Sequence, residues 1–111
     1  MVAMKYLMVK WVLSAQDDPC VMHSELDEQR MERRKIEVYR DGRWGFADER
    51  EEVGGSGLGE ALVPTVESLN ADLEFEAEEI DEEEFEKMWN VRWSARIMAP
   101  FPLGEGSGEP S

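Results

Sequence analysis

The sequence predicts an α+β domain: an antiparallel sheet of four or five strands with one C-terminal helix packed on a face. Three observations carry this. Apolar runs with strand character fall at residues 6–13, 20–26, 35–40 and 43–48, separated by polar turns. Asp41-Gly42 stands between the last two, a pair that tolerates the positive φ of a tight hairpin turn. From Asp81 onward the apolar spacing becomes helical, and the residues at the start are those that cap a helix.

In order along the chain, Tyr6 to Leu13 places Leu7, Val9, Trp11 and Leu13 on one side and Lys10 on the other, so one side is well buried. Ser14 to Pro19 is a polar turn, and Cys20 to Leu26 returns antiparallel to the first strand. Leu26 to Arg34 is highly charged and reads as a helical turn or an irregular arm. A two-residue Asp41-Gly42 turn sets Tyr39 opposite Trp44 and Ile36 opposite Ala47. Tyr39, Trp44 and Phe46 then share one side, and Ile36, Val38 and Ala47 the other. A hairpin apolar on both sides is either covered on both or binds something.

Glu49 to Glu60 reads as a loop, with Gly54-Gly55-Ser56-Gly57-Leu58-Gly59 inside it. Val63-Pro64-Thr65 opens a short helical piece ending near Asn70. Phe75 to Ile80 suits a short edge strand, with Phe75 and Ala77 inward and Glu76 and Glu78 outward. Asp81 is an N-cap, Glu84 completes the capping-box pattern, and Ile80 is placed to staple onto Phe85. Glu82, Glu83 and Glu84 meet the positive end of the helix dipole, and Lys87, Arg92 and Arg96 follow toward the other end. Phe85, Met88 and Trp89 form the packing stripe. The organisation expected is one domain over residues 1–96 and a disordered Pro/Gly/Ser-rich tail over 97–111.

Charge divides the chain. Residues 1–50 hold 9 Lys/Arg and 10 Asp/Glu, whereas residues 51–111 hold 3 and 16, within a formal net charge of −14. Asp72 to Glu86 holds ten acids and no base. So dense a run costs self-repulsion and suggests a surface that meets something basic. Exposed acids also serve solubility and keep sheet edges from pairing. The net charge opposes binding to nucleic-acid phosphate or to an anionic membrane surface. No apolar run reaches the length of a membrane span. A single cysteine, Cys20, forms no internal disulfide, which fits a reducing cytoplasm.

Each chemical motif has a plainer explanation beside it. Cys20 and His23 make half of a zinc pattern without a second pair, and on a strand residues three apart diverge. The glycine loop lacks the Lys-Ser/Thr of a phosphate cradle and is flanked by Glu51, Glu52 and Glu60. Asp72, Glu74 and Glu76 have the spacing of a calcium loop, but Ala77 stands where glycine is needed. No catalytic constellation emerges, no cofactor is implied, and a non-enzyme is expected.

Met4-Lys5-Tyr6-Leu7 with Val9-Lys10-Trp11, Ser24-Glu25-Leu26-Asp27, the Arg33 to Gly45 hairpin, Glu51-Glu52-Val53-Gly54-Gly55, and Phe75-Glu76-Ala77-Glu78-Glu79-Ile80 with Glu84-Phe85 and Trp89 together resemble a family. Its members are small acidic bacterial proteins known only as a domain of unknown function. The resemblance covers about residues 4–93 and suggests an alternative start at Met4. It implies no activity and no catalytic residues. In size and acidity such proteins are similar to immunity proteins and single-domain inhibitors.

The function expected is therefore an intracellular binding or inhibitory protein, immunity- or antitoxin-like. It would cover a basic surface of a partner such as a toxin, nuclease or nucleic-acid-binding protein. The residues assigned to that contact are Asp72, Glu74, Glu76, Glu78, Glu79, Glu82, Glu83 and Glu86. One alternative is a small ligand-binding domain or enzyme with a pocket near Trp44, Phe46 and His23. Another is a nucleic-acid binder using Arg30, Arg33, Arg34, Lys35, Arg40 and Arg43, with Tyr39, Trp44 and Phe46 as stacking partners.

Overall fold

The computed structural model describes the backbone of residues 3–98 and side chains through Ala95. The tail expected over 97–111 lies outside the described residues from 99 onward. The element order is β1 (Lys5–Trp11), β2 (Pro19–Leu26), β3 (Glu32–Tyr39), β4 (Trp44–Ala47), β5 (Glu52–Val53), α1 (Val66–Asn70), β6 (Phe75–Ile80), α2 (Glu82–Asn90) and α3 (Arg92–Met98). The strands form one sheet in the order β5-β4-β3-β2-β1-β6, and every pairing is antiparallel.

The expectation of four or five strands is corrected to six among the described residues. The fold is mainly β, with its helices short and two of them C-terminal. The extra strand, β5, pairs Val53 with Phe46 and Glu52 with Ala47. Two residues among charges and glycines leave no periodic signal to read.

The hairpin exists, but its register is displaced by one residue. Gly42 N–H donates to the Tyr39 carbonyl and Tyr39 N–H to the Arg43 carbonyl, both at 2.9 Å. The loop thus has three residues, with Gly42 at φ +90°, the form in which a left-handed glycine follows a turn. Val38 faces Trp44 and Ile36 faces Phe46. A one-residue slip exchanges the faces, so Trp44 and Phe46 share theirs with Ile36 and Val38, and Tyr39 lies opposite. The charged stretch after Leu26 is neither helix nor arm. It is a tight turn in which Asp27 Oδ1 accepts from Gln29 N–H and Met31 N–H at 3.0 Å, and β3 begins at Glu32.

Both faces of the sheet are covered. One carries α2 and α3, with Tyr6, Ile36, Phe46, Ile80, Phe85 and Trp89 as its buried core. The other carries α1 and the segment before it, with Leu7, Val9 and Leu26 packed by Val63, Val66, Leu69 and Phe75. Each face needs its own cover because β1 is apolar at both Tyr6 and Leu7. Phe85, fully buried, sits 5.3 Å from the Tyr6 ring and 6.1 Å from Trp89. Asp81 caps α2 as expected, its Oδ1 accepting from Glu84 N–H at 2.8 Å. Ile80 and Phe85 lie in one cluster, as a hydrophobic staple requires. The helix breaks at Val91, where φ is −107° and ψ 8°, and resumes as α3.

Candidate functional site

The acidic run folds into the free edge of the sheet and the first turn of the helix that follows. Among the described residues β6 pairs with β1 alone. Alternation along it sends Glu76 and Glu78 to the helix-bearing face, opposite Lys10 and Met8, and Ala77 and Glu79 to the other, opposite Val9 and Leu7. Phe75 and Ala77 pack into the core under α1. Asp72, Glu74, Glu76, Glu78, Glu79, Glu82 and Glu83 are all exposed, as are Asp81 and Glu84. Seven of the eight residues assigned to a partner contact therefore line one continuous edge.

The eighth does not. Glu86 turns inward and receives both terminal nitrogens of Arg34. Arg34 also donates twice to Glu25 at 2.7 Å, and Tyr6 Oη donates to the same carboxylate at 3.0 Å. The guanidinium lies 4.9 Å from the Phe85 ring centre and 5.0 Å from that of Trp89. The physical consequences agree in sign. The hydrogen bond to Glu25 raises the Arg34 pKa, and the Arg34 hydrogen bond holds Glu86 below the usual carboxylate range. Burial, then the bond to Glu25, pushes Tyr6 up to about 12. Glu86 thus belongs to the joint between α2 and the sheet.

Several edge acids have local duties that leave them exposed. Asp72 Oδ1 accepts from Glu74 N–H at 2.9 Å, and Glu74 Oε1 from Trp11 Nε1 at 3.1 Å. The calcium-like spacing is therefore spent on a turn and an indole contact. Glu79 pairs with Lys5 at 3.6 Å and Glu83 with Lys87 at 4.0 Å, all four side chains more than half exposed. Such pairs contribute little. One residue of this region escaped the sequence reading. The Asn70 carboxamide donates to the Ala77 carbonyl at 2.9 Å and accepts from Ala77 N–H at 2.7 Å. It fills the backbone position a seventh strand would need. Its only signal is an amide side chain at a helix end shortly before an edge strand.

The six cations between Arg30 and Arg43 are each engaged within the chain. Arg30 donates to the carbonyls of Val63 and Pro64, both at 2.7 Å. Arg33 meets Glu49 at 3.5 Å, and Arg43 meets Asp41 at 3.1 Å while lying over the Tyr39 ring. Lys35 reaches Glu32 at 3.1 Å and the Gly57 carbonyl at 2.8 Å, and Arg40 binds the Ser14 carbonyl at 2.7 Å. Together with Arg34, they are spread over both faces and the hairpin tip rather than gathered into one strip.

His23 is buried between its cross-strand neighbours Met8 and Ile36, and its Nδ1 has no hydrogen-bond partner among the described residues. Burial lowers its pKa to about 4, so the ring is neutral at pH 7. Cys20 Sγ donates to the Val38 carbonyl at 3.4 Å. No group of three His, Cys, Asp or Glu suited to a metal ion occurs among the described residues. Phe46 is fully buried, with Trp93 edge-on to it at 4.9 Å and Arg92 over its ring at 5.3 Å. A cavity of about 520 Å³ lies instead at the hairpin tip, lined by Ser14, Gln16, Asp17, Tyr39, Arg40, Asp41 and Arg43.

The glycine loop is a latch across the other face. Ser56 Oγ donates to Glu37, Gly59 N–H donates to Glu32 at 2.7 Å, and Lys35 holds Gly57. Gly54 and Gly55 have φ of +71° and +86°. A Cβ on Gly45 would collide with Ser56 Oγ, so the β4 backbone must lie bare for the loop to close.

No helix among the described residues is long and apolar enough to cross a membrane. Comparison with curated proteins and with solved structures returns no match. A family model matches residues 5–94, a span that takes in all six strands, the Arg34 joint and the acidic edge. The chain therefore belongs to the family described as Domain of unknown function (DUF6881).

Proposed function

We propose that this chain is a small acidic intracellular binding protein, of inhibitory or immunity-like type, that covers a basic surface on a partner protein. The contact uses Glu76, Glu78, Glu79, Glu82 and Glu83, flanked by Asp72 and Glu74. One observation carries the reading: these carboxylates stand exposed along a single sheet edge and helix start, facing water. Their field steers an oppositely charged partner and raises the association rate, an effect that salt screens. Asn70 occupies the edge backbone at Ala77, so the partner meets side chains rather than adding a strand.

The test is capture from the native cell with the wild-type chain and with a variant carrying Glu78→Lys, Glu79→Lys, Glu82→Lys and Glu83→Lys. A basic protein retained by the wild type at low salt, released at high salt and lost by the variant is the expected result. The same proteins held equally by both chains, at any salt, would refute the reading.

A further inference from the structure

The acidic edge ends in exposed apolar side chains. Val12 N–H donates to the Glu74 carbonyl at 2.7 Å, which holds the segment after β1 against the segment before β6. Leu13 then stands on one side and Leu73 on the other. Their exposures are 68 % and 91 %, and Val12 is 47 % exposed. Half-buried Trp11 and Phe75, with ring centres 6.3 Å apart, lie at the same end of the β1–β6 pair. Single exposed leucines are ordinary on a protein surface. Three large exposed apolar residues on two segments tied by that backbone hydrogen bond, at the same end as an aromatic pair, resemble the apolar centre of an interface.

We infer that Val12, Leu13 and Leu73 form the apolar anchor of the proposed contact, and that the occupant is a cationic amphipathic segment of the partner. This rests on the reading above and adds what charge alone does not supply, namely apolar side chains on the partner. The sign of the occupant follows from the rim. Asp72, Glu74 and Glu76 flank the anchor in sequence and are exposed. A second copy would bring the same carboxylates and another net charge of −14 against them. An anionic lipid surface is repelled for the same reason. A segment bearing Lys or Arg on one side and Leu-like residues on the other satisfies both parts of the patch.

Two peptides of equal length and charge separate these ideas, one alternating Lys with Leu and one alternating Lys with Ser. Each is titrated at low salt into the wild type and into a Leu13→Ser/Leu73→Ser variant, whose fold is checked by its unfolding curve. Both positions are exposed, so the variant should fold normally. On the wild type the Lys/Leu peptide should bind about tenfold or more tightly, the effect of burying one leucine. The variant should lose that preference while holding the Lys/Ser peptide as the wild type does. Equal binding of the two peptides to the wild type, or a preference that survives in the variant, overturns the inference and leaves the acidic contact standing. Failure of both peptides to bind the wild type overturns the acidic contact as well. A dimer seen by light scattering at low salt, and dispersed by the two serines, would assign the patch to a second copy and also overturn it.

Discussion

Between Arg30 and Arg43 six cations meet acceptors of their own chain; between Asp72 and Glu84 nine acids are exposed to water. The first set shows how a basic stretch can vanish into a fold. Arg34 is paired in register with Glu25, and Lys35 lies beside Glu32 and Glu37, so these charges are consumed as they are buried. The second set has few cations within reach, and Lys5 and Lys87 are themselves exposed. Local charge density in a sequence therefore says little about surface potential until the cross-strand partners are known. The edge remains negative because its partner strand, β1, places one cation, Lys10, along the register and a second, exposed Lys5, at its start.

The sharpest way to break the internal set is at Arg34. Arg34→Met leaves Glu25, 10 % exposed, without its counter-charge, and should cost about 3–5 kcal/mol by chemical unfolding. Adding Glu25→Gln should restore most of the loss, since two neutral groups no longer carry an unpaired charge. Phe85→Ala tests the packing beneath the same guanidinium, and a fully buried ring predicts a loss of about 3–5 kcal/mol.

His23 gives a pH signature of the sheet interior. Its folded pKa of about 4 lies below the ordinary 6.5, so on acidification the unfolded chain takes the proton first. The stability this confers is complete above pH 6.5 and is lost as pH falls through the window to about 4. The loss should approach about 3 kcal/mol. His23→Met should flatten that part of the stability–pH curve. Asn70→Ala removes two hydrogen bonds and should cost about 1–2 kcal/mol. By baring Ala77 it should also raise self-association, measurable by sedimentation.

Much of this fold is legible in the sequence, and the failures have physical causes. The strand at Tyr6, the capped helix at Asp81 and the inward Phe75 and Ala77 follow from periodicity and capping chemistry. The hairpin is legible but its faces are not, because a turn of three residues in place of two reverses which side chains are neighbours. Glu32 to Arg34 looks like an arm because its charges are satisfied by partners distant in the chain, among them Glu86. The same remoteness conceals Glu86, whose spacing in the acidic run matches that of exposed neighbours. Leu13 reads as the last inward residue of β1, yet the strand ends at Trp11 and leaves it outside.

The claim at the centre is that the edge carboxylates are not committed to the fold. It is tested most directly by the stability, at low ionic strength, of the chain carrying Glu78→Lys, Glu79→Lys, Glu82→Lys and Glu83→Lys. Relief of like-charge repulsion, set against the loss of the exposed Lys5 and Lys87 pairs and of dipole contacts at the α2 start, predicts a change within about 1 kcal/mol of wild type. Destabilisation by several kcal/mol would show these acids to be structural, and would contradict their availability to a partner.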